Sequence, residues 1–379
     1  MGSVRWFRRD SASLQRPDQE REGLYARCAG PLHRTLLQRT PDTSCSFPRI
    51  RLRVRLRGRP RASVPVRPER SVRPRLPAPV AATRGGVNDV EITRPDKVLF
   101  PDDGITKSEL AEHYRRVARR AVPRLRGRPV MMERHPDGIG GKPLMQKNAP
   151  DYFPDWIHTA VLPKEDGEVR HVVCDNADTL VYLAGQACVT LHRWLSREDR
   201  PHHPDVLVFD LDPSGKAGFE DVRWSARCVS GVLEEVELPT LLMTTGSRGL
   251  HVLAPLDRNA DFDAVRDFAR RVSALLVQRN PDRLTDEPRK AKRGDRVYLD
   301  IQRNAYAQTA VAPYSVRAKP GAPVAVPIGW DELDDPDLTP GRWTVRNLEE
   351  RLKGADPWAR SHVRGRSLRA ADRRLRARM

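Results

Sequence analysis

The stretch from Asp205 to Ser214, reading DVLVFDLDPS, constrains this chain more than any other. An apolar run, Val206 to Phe209, leads into Asp210 and Asp212, and Pro213 with Ser214 closes it. This is the pattern of a buried strand whose end opens on a cleft. Side chains alternate along a strand, so the two acids share a face, about 6 to 7 Å apart. At an effective dielectric of about 20, two unit charges ~6.5 Å apart cost on the order of 2.5 kcal/mol, a load that a marginally stable domain keeps only with a counter-charge. A divalent cation is the simplest one. The bland alternative is one capping acid beside one solvated acid.

The formal charge of +18 invites a nucleic-acid reading, but its distribution weakens that argument. Residues 1–86 hold 20 Arg, no Lys and 6 Asp or Glu, whereas the remaining 293 residues carry 48 basic and 44 acidic side chains. The leader has no sustained apolar period. It reads either as a basic arm or as a disordered Arg/Pro-rich extension, and arginine without lysine favours the second as codon bias, with a natural start near Val87. We therefore divide the chain into a leader (1–86), a catalytic domain (87–345) and a basic tail (346–379). The five cysteines show no metal-ligand or disulfide spacing, and no apolar run approaches a membrane span. A cytoplasmic, nucleoid-associated protein is the expectation.

Order begins near Val87, with a short strand in Asp89–Phe100 broken by a turn at Arg94-Pro95-Asp96. Thr106 and Glu109 have capping-box spacing and open a helix. Lys97 and Lys107 flank its entrance, where phosphate is a natural ligand and a solvated loop is the alternative. Lys164-Glu165-Asp166-Gly167 matches the KxDG signature of ATP-dependent ligases, but between two β-rich runs it reads better as a hairpin turn. A helix is expected over Asp178–Arg197, with His192 near its end. After the central strand come a helix (Glu220–Glu237), a strand (Thr240–Met243), the loop TTGSRGLH (244–251), a strand (Val252–Pro255), a helix (Asp261–Gln278), and a strand delivering Asp300.

Asp210, Asp212, the TTGSRGLH loop and Asp300 can meet in one cleft. Glycines let the loop backbone approach a ligand; Ser247 offers a hydroxyl, Arg248 a fork of donors and His251 an imidazole, a set suited to a triphosphate. Carboxylates plus a phosphate grip imply two-metal chemistry with magnesium or manganese.

At these residues the chain resembles the archaeo-eukaryotic primase superfamily, and specifically the polymerase domain of bacterial DNA ligase D. The resemblance spans about Val87 to Trp343 and rests on RPDKVLFP (94–101), GITK (104–107), GRPVMMERHPDGI (127–139), QKNAPDYFPDW (146–156), VFDLDPS (208–214), TTGSRGLHVLAPL (244–256) and APYSVRAKPGAPVAVPIGWDEL (312–333). It implies an α+β primase-polymerase fold with a central, mostly antiparallel sheet flanked by helices. It further implies two Mn²⁺ or Mg²⁺ ions on Asp210, Asp212 and Asp300, and a nucleotide grip of Ser247, Arg248, His251, His192, Arg293 and Arg317. Lys97 and Lys107 resemble the pair that holds a DNA 5′-phosphate. The implied activity is metal-dependent addition of nucleotides, ribonucleotides favoured, to DNA ends and gaps in non-homologous end joining, beside Ku and a separate ATP-dependent DNA ligase.

Two departures stand out. Arg248 occupies a position where many members have Lys, which keeps the charge but changes its geometry. Leu144-Met145 sits where some members have a phenylalanine pair that stacks on template bases, so the resemblance does not carry template gripping over to this chain. Two other functions are weighed: a haloacid-dehalogenase-type phosphatase, which also uses DxD but leaves the GSRGLH loop unexplained, and a non-catalytic DNA-end-binding factor.

Overall fold

The computed structural model describes residues 90–164, 166–359 and 364–378. The leader reading lies outside them. The described chain is α+β, and its two larger sheets each carry helices on one side.

The first elements are β1 (Val98–Phe100), β2 (Ile105–Thr106) and α1 (Lys107–Leu125). Thr106 caps α1: its hydroxyl accepts from Glu109 N, while the Glu109 carboxylate accepts from Thr106 N. The extended piece expected before Arg94 does not form a strand over residues 90–92. The carbonyls of this segment are spent on the helix entrance instead. Pro95 O and Lys97 O accept from Ser108 N and Lys107 N, and Thr93 O accepts from Lys107 Nζ at 2.7 Å.

Next follow β3 (Val130–Arg134), β4 (Leu144–Gln146), β5 (Thr159–Lys164), β6 (Gly167–Val172), α2 (Ala177–Gly185) and β7 (Cys188–Trp194). β5 and β6 pair from Thr159–Val172 to Lys164–Gly167, so the KEDG stretch is a hairpin. The single helix expected over Asp178–Arg197 is two elements. α2 stops at Gly185, Ala187 takes a left-handed φ of 56°, and β-branched Val189 and Thr190 continue as strand. His192 therefore lies on β7, not on a helix. With β13 (Thr309–Val311), β3, β4 and β7 make a sheet of order β13-β7-β3-β4, packed on α1 and α2.

The larger sheet is built from β8 (Val206–Pro213), β9 (Leu241–Thr244), β10 (Leu250–Pro255), β11 (Leu284–Thr285), β12 (Val297–Asp300) and β14 (Pro327–Ile328), in the order β11-β12-β8-β10-β9-β14. Every pairing is antiparallel except β11 with β12. Leu207, Phe209 and Leu211 face α3 (Phe219–Glu235) and α4 (Phe262–Arg279). Val206 and Val208 face the other way, into a small cluster with Val311 and Ala310 of β13 that joins the sheets. That alternation also turns Asp210 and Asp212 away from the helices. Beyond α5 (Leu348–Lys353), α6 (Leu368–Arg376) buries Leu368, Ala371 and Leu375 in the core under α4, and Arg271 pairs with Asp372 at 2.7 Å.

Candidate active site

Register places the acids. Asp210 on β8 lies directly opposite Asp300 on β12 and His251 on β10, so all three side chains leave one face in a row across three strands. Asp212 follows on the same face, opposite Tyr298. His251 Nε2 lies 3.4 Å from Asp210 Oδ1; the His251 ring is buried and its Nδ1 has no partner. Arg303 Nε approaches Asp210 Oδ2 at 3.7 Å. Arg303 is held there by Asn304, whose buried amide pairs with Val208 N and O at 2.9 and 2.7 Å, replacing β12 where that strand ends.

The loop between β9 and β10 lies beside the row. Thr245 Oγ1 accepts from Ser247 N and Gly249 N, both at 3.3 Å, and Arg317 donates to Thr245 O at 2.9 Å. Gly249 is compulsory by space: a Cβ there would sit 1.8 Å from Leu211 O, so any side chain would push the loop off β8. Gly246 adopts φ +63° against Arg317 and Val324. Lys319 Nζ donates to Ser247 Oγ. Arg248 reaches toward Asp212, 3.9 Å away.

These groups line a cleft of about 470 Å³ between the two sheets. The cleft brings together His192, Asp210, Asp212, Ser247, Arg248, His251 and Arg317 among the residues expected from sequence. Met131, Met145 and Val311 supply its apolar wall. Asp300 joins through its register with Asp210, and accepts from Gln302 N at 2.8 Å. Arg293 does not reach the cleft lining: it is buried, donates to the carbonyls of Glu287 and Pro288, and stacks 3.7 Å from the Tyr298 ring centroid. Lys290, Arg303 and Lys319 line the cleft and were not anticipated. Glu133 was also missed. It accepts from both His192 and His135, at 3.1 and 3.2 Å.

The electrostatics of the acids differ. Burial pushes Asp210 up, but His251, Arg303 and Arg317 outweigh it and hold the carboxyl below its ordinary range. Asp212 is raised by burial and by Asp210, with Asp300 adding and Arg248 only partly offsetting. Asp300 is raised by burial first, against the Gln302 N–H, with Asp210 adding to the rise. Asp212 and Asp300 thus lack sufficient positive charge from the protein itself. Three carboxylates offering only oxygen fit a hard divalent cation.

Lys97 and Lys107 line a separate pocket of about 120 Å³ with Arg94 and Arg134. Lys107 is buried; burial, then Arg94, Lys97 and Arg134, lowers its pKa. Lys97 Nζ lies 3.9 Å from Asp137. Arg94 sits in the left-handed region at φ +49°, a strained turn that presents its side chain beside the lysines. No helix among the described residues is long and apolar enough to cross a membrane.

The fold is that of a primase-polymerase domain. The structure is similar to that of the "Polymerase Domain from Mycobacterium tuberculosis Ligase D in complex with DNA", with a TM-score of 0.68 and 31% sequence identity over 72% of this chain and 97% of that one. The chain belongs to the family described as LigD, primase-polymerase domain, which matches residues 106–358. Among its relatives are the multifunctional non-homologous end joining proteins LigD of Mycolicibacterium smegmatis, 32% identical over 66% of this chain and 33% of that protein, and of Pseudomonas aeruginosa, 33% identical over 74% and 34%. The bifunctional non-homologous end joining protein LigD of Bacillus subtilis is 27% identical over 70% of this chain and 42% of its own length. The chain thus spans about a third of the first two relatives. Family membership leaves the phosphatase alternative without support.

Proposed function

We propose that this chain is a divalent-metal-dependent nucleotidyltransferase that adds nucleotides to DNA ends and gaps during non-homologous end joining. The observation that carries the reading is the row of Asp300, Asp210 and His251 in register across three strands, with Asp212 beside it, facing a wall of Arg317, Lys319 and Arg248. Asp210, Asp212 and Asp300 would hold two Mg²⁺ or Mn²⁺ ions. Bound there, such ions lower the pKa of an attacking hydroxyl and neutralise charge on a departing pyrophosphate.

The protein's own groups do the rest. Arg317, Arg248, Lys319 and Ser247 hold the triphosphate, and the tether from Arg317 to Thr245 fixes the loop that presents them. His251 and Arg303 orient Asp210 and keep it ionised. His192, fixed by Glu133, faces the nucleotide from the opposite sheet. Lys97 and Lys107, with Arg94 and Arg134, take the 5′-phosphate across a gap. The relatives' names, and the DNA bound to the M. tuberculosis domain, support the repair setting. Ribonucleotides as favoured substrates, Ku, a separate ATP-dependent DNA ligase and a nucleoid location complete the reading.

The test is primer extension by Asp210→Ala, Asp212→Ala and Asp300→Ala. Each abolishes extension while the thermal transition survives, since half a two-ion clamp cannot run the reaction. Near-wild-type rates in any one of them would remove that residue from the site.

A further inference from the structure

A third cavity lined by cations, of about 240 Å³, lies between the end of α1 and the start of β8. Arg124, Arg128, Arg193 and Arg197 line it. Arg193 neighbours His192 on β7, and adjacent strand residues point to opposite faces, so this cavity is on the other side of the small sheet from the cleft. Asp205, which also lines it, stands at the opposite end of β8 from Asp212.

Its charge does not balance. Asp205 lies 2.6 Å from Arg128 and 2.9 Å from Arg197, and Asp356 lies 2.8 Å from Arg124. Arg193 makes no ion pair among the described residues; its Nη1 donates to Arg124 O at 2.7 Å, as Arg197 Nη1 does to Arg126 O at 2.8 Å. Those carbonyls at the end of α1 favour guanidinium groups but carry only partial charge. Arg128 and Arg193 are 5% and 4% exposed, and the Nε atoms of Arg124, Arg128 and Arg193 are buried with no hydrogen-bond partner. Guanidinium keeps its proton, so among the described residues four cations face two carboxylates, and the two remaining positive charges are met only by backbone carbonyls, the Trp358 ring and solvent at the rim. A buried charge of this kind is kept at a cost unless something neutralises it.

We propose that this cavity binds a phosphate dianion, supplied either as free phosphate or pyrophosphate or as the terminal phosphate of a nucleic-acid strand. Two negative charges match the excess, and the guanidinium fork pairs with phosphate oxygens through two parallel bonds. Val206, Leu241 and Leu253 give the cavity an apolar wall, beside which charge pairing is stronger than in open water. Arg124 and Arg197, with side chains 22% and 33% exposed, form the rim, and the two buried arginines form the floor. A free or terminal phosphate reaches that floor; a phosphodiester inside a strand does not.

Calorimetric titration of the full chain with inorganic phosphate, pyrophosphate and a short 5′-phosphorylated oligonucleotide tests the proposal. A background carrying Arg317→Ala together with Lys97→Ala and Lys107→Ala suppresses binding in the catalytic cleft and in the Lys97/Lys107 pocket. In that background a phosphate site persists, and adding Arg193→Met weakens it about tenfold or more, the scale of one charge-assisted contact. Arg193→Met alone leaves primer extension unchanged. Arg124→Gln at the rim, which leaves the floor intact, lowers affinity in the same direction and covers the case of a misfolded Arg193 variant. Binding of pyrophosphate without the oligonucleotide assigns a small free ligand; binding of both assigns a strand terminus. If no site persists in that background, or if it survives both arginine substitutions undiminished, the arginines only brace α1 against β7 and the proposal fails.

Discussion

Replacing Asp212 by Asn removes one charge from the carboxylate group while keeping its shape. Asp210 and Asp212 stand two residues apart on one strand face, about 6.5 Å, and at an effective dielectric of about 20 their repulsion is ~2.5 kcal/mol. The Asp212 side chain is 34% exposed and Arg248 approaches it at 3.9 Å, so solvent and that cation take back roughly half. In chelator, Asp212→Asn is therefore more stable than wild type by about 1 kcal/mol, a rise of about 2–4 °C in melting temperature. Saturating metal reverses the order. An ion at about 100 times its Kd stabilises wild type by ~2.7 kcal/mol, whereas the variant, short of a ligand, gains little. Scanning calorimetry in EDTA and in manganese or magnesium reads both arms without any turnover. A variant that melts below wild type in chelator and keeps the full metal shift would refute the counter-charge argument.

Three further outcomes follow from the geometry. Lys97→Ala and Lys107→Ala should each weaken binding to 5′-phosphorylated gaps by about tenfold or more, yet match wild type on a plain recessed primer in parallel gel-shift and extension assays; equal loss on both substrates would make the lysines general or structural contacts. Gly249→Ala places a Cβ against Leu211 O, so it should cost on the order of 1–3 kcal/mol of stability and most of the extension rate, and a neutral result would mean the loop yields freely. Burial pushes Glu133 up, but hydrogen bonds from His135 and His192 outweigh it and hold it well below its ordinary value of 4.5. Its stabilisation is therefore present above about pH 4.5 and lost as pH falls below that. Glu133→Gln should be less stable at neutral pH and lose less on acidification, and unfolding curves parallel to wild type down the acid limb would contradict this.

The sequence carried the large sheet because β8, β10 and β12 are short apolar runs bounded by turn residues, and period two alone put Asp210 and Asp212 on one face. The capping box at Thr106 and Glu109 was legible for the same local reason. β7 was not. Leu180, Leu183, Ala184, Ala187, Leu191 and Trp194 continue a helical spacing across Gly185, and only tertiary pairing with β3 and β13 decides that the chain turns to strand there. Glu133 and Lys319 lie inside the GRPVMMERHPDGI and APYSVRAKPGAPVAVPIGWDEL runs, but nothing in those runs marks them as partners of the cleft, and Arg303 lies in no quoted run. For Arg303 the signal lies in Asn304, whose amide completes the β8 ladder and was invisible without the fold. Arg293 shows the reverse case: a basic residue at an expected position whose donors are taken by the carbonyls of its own turn.

The central claim is most directly tested by offering the protein a 5′-labelled primer on a template, each nucleoside triphosphate in turn, and manganese, magnesium or EDTA. Stepwise primer extension is expected with metal, none with EDTA and none by Asp210→Ala. Extension that persists in EDTA or in Asp210→Ala, or DNA-end binding with no extension under any metal, would contradict it.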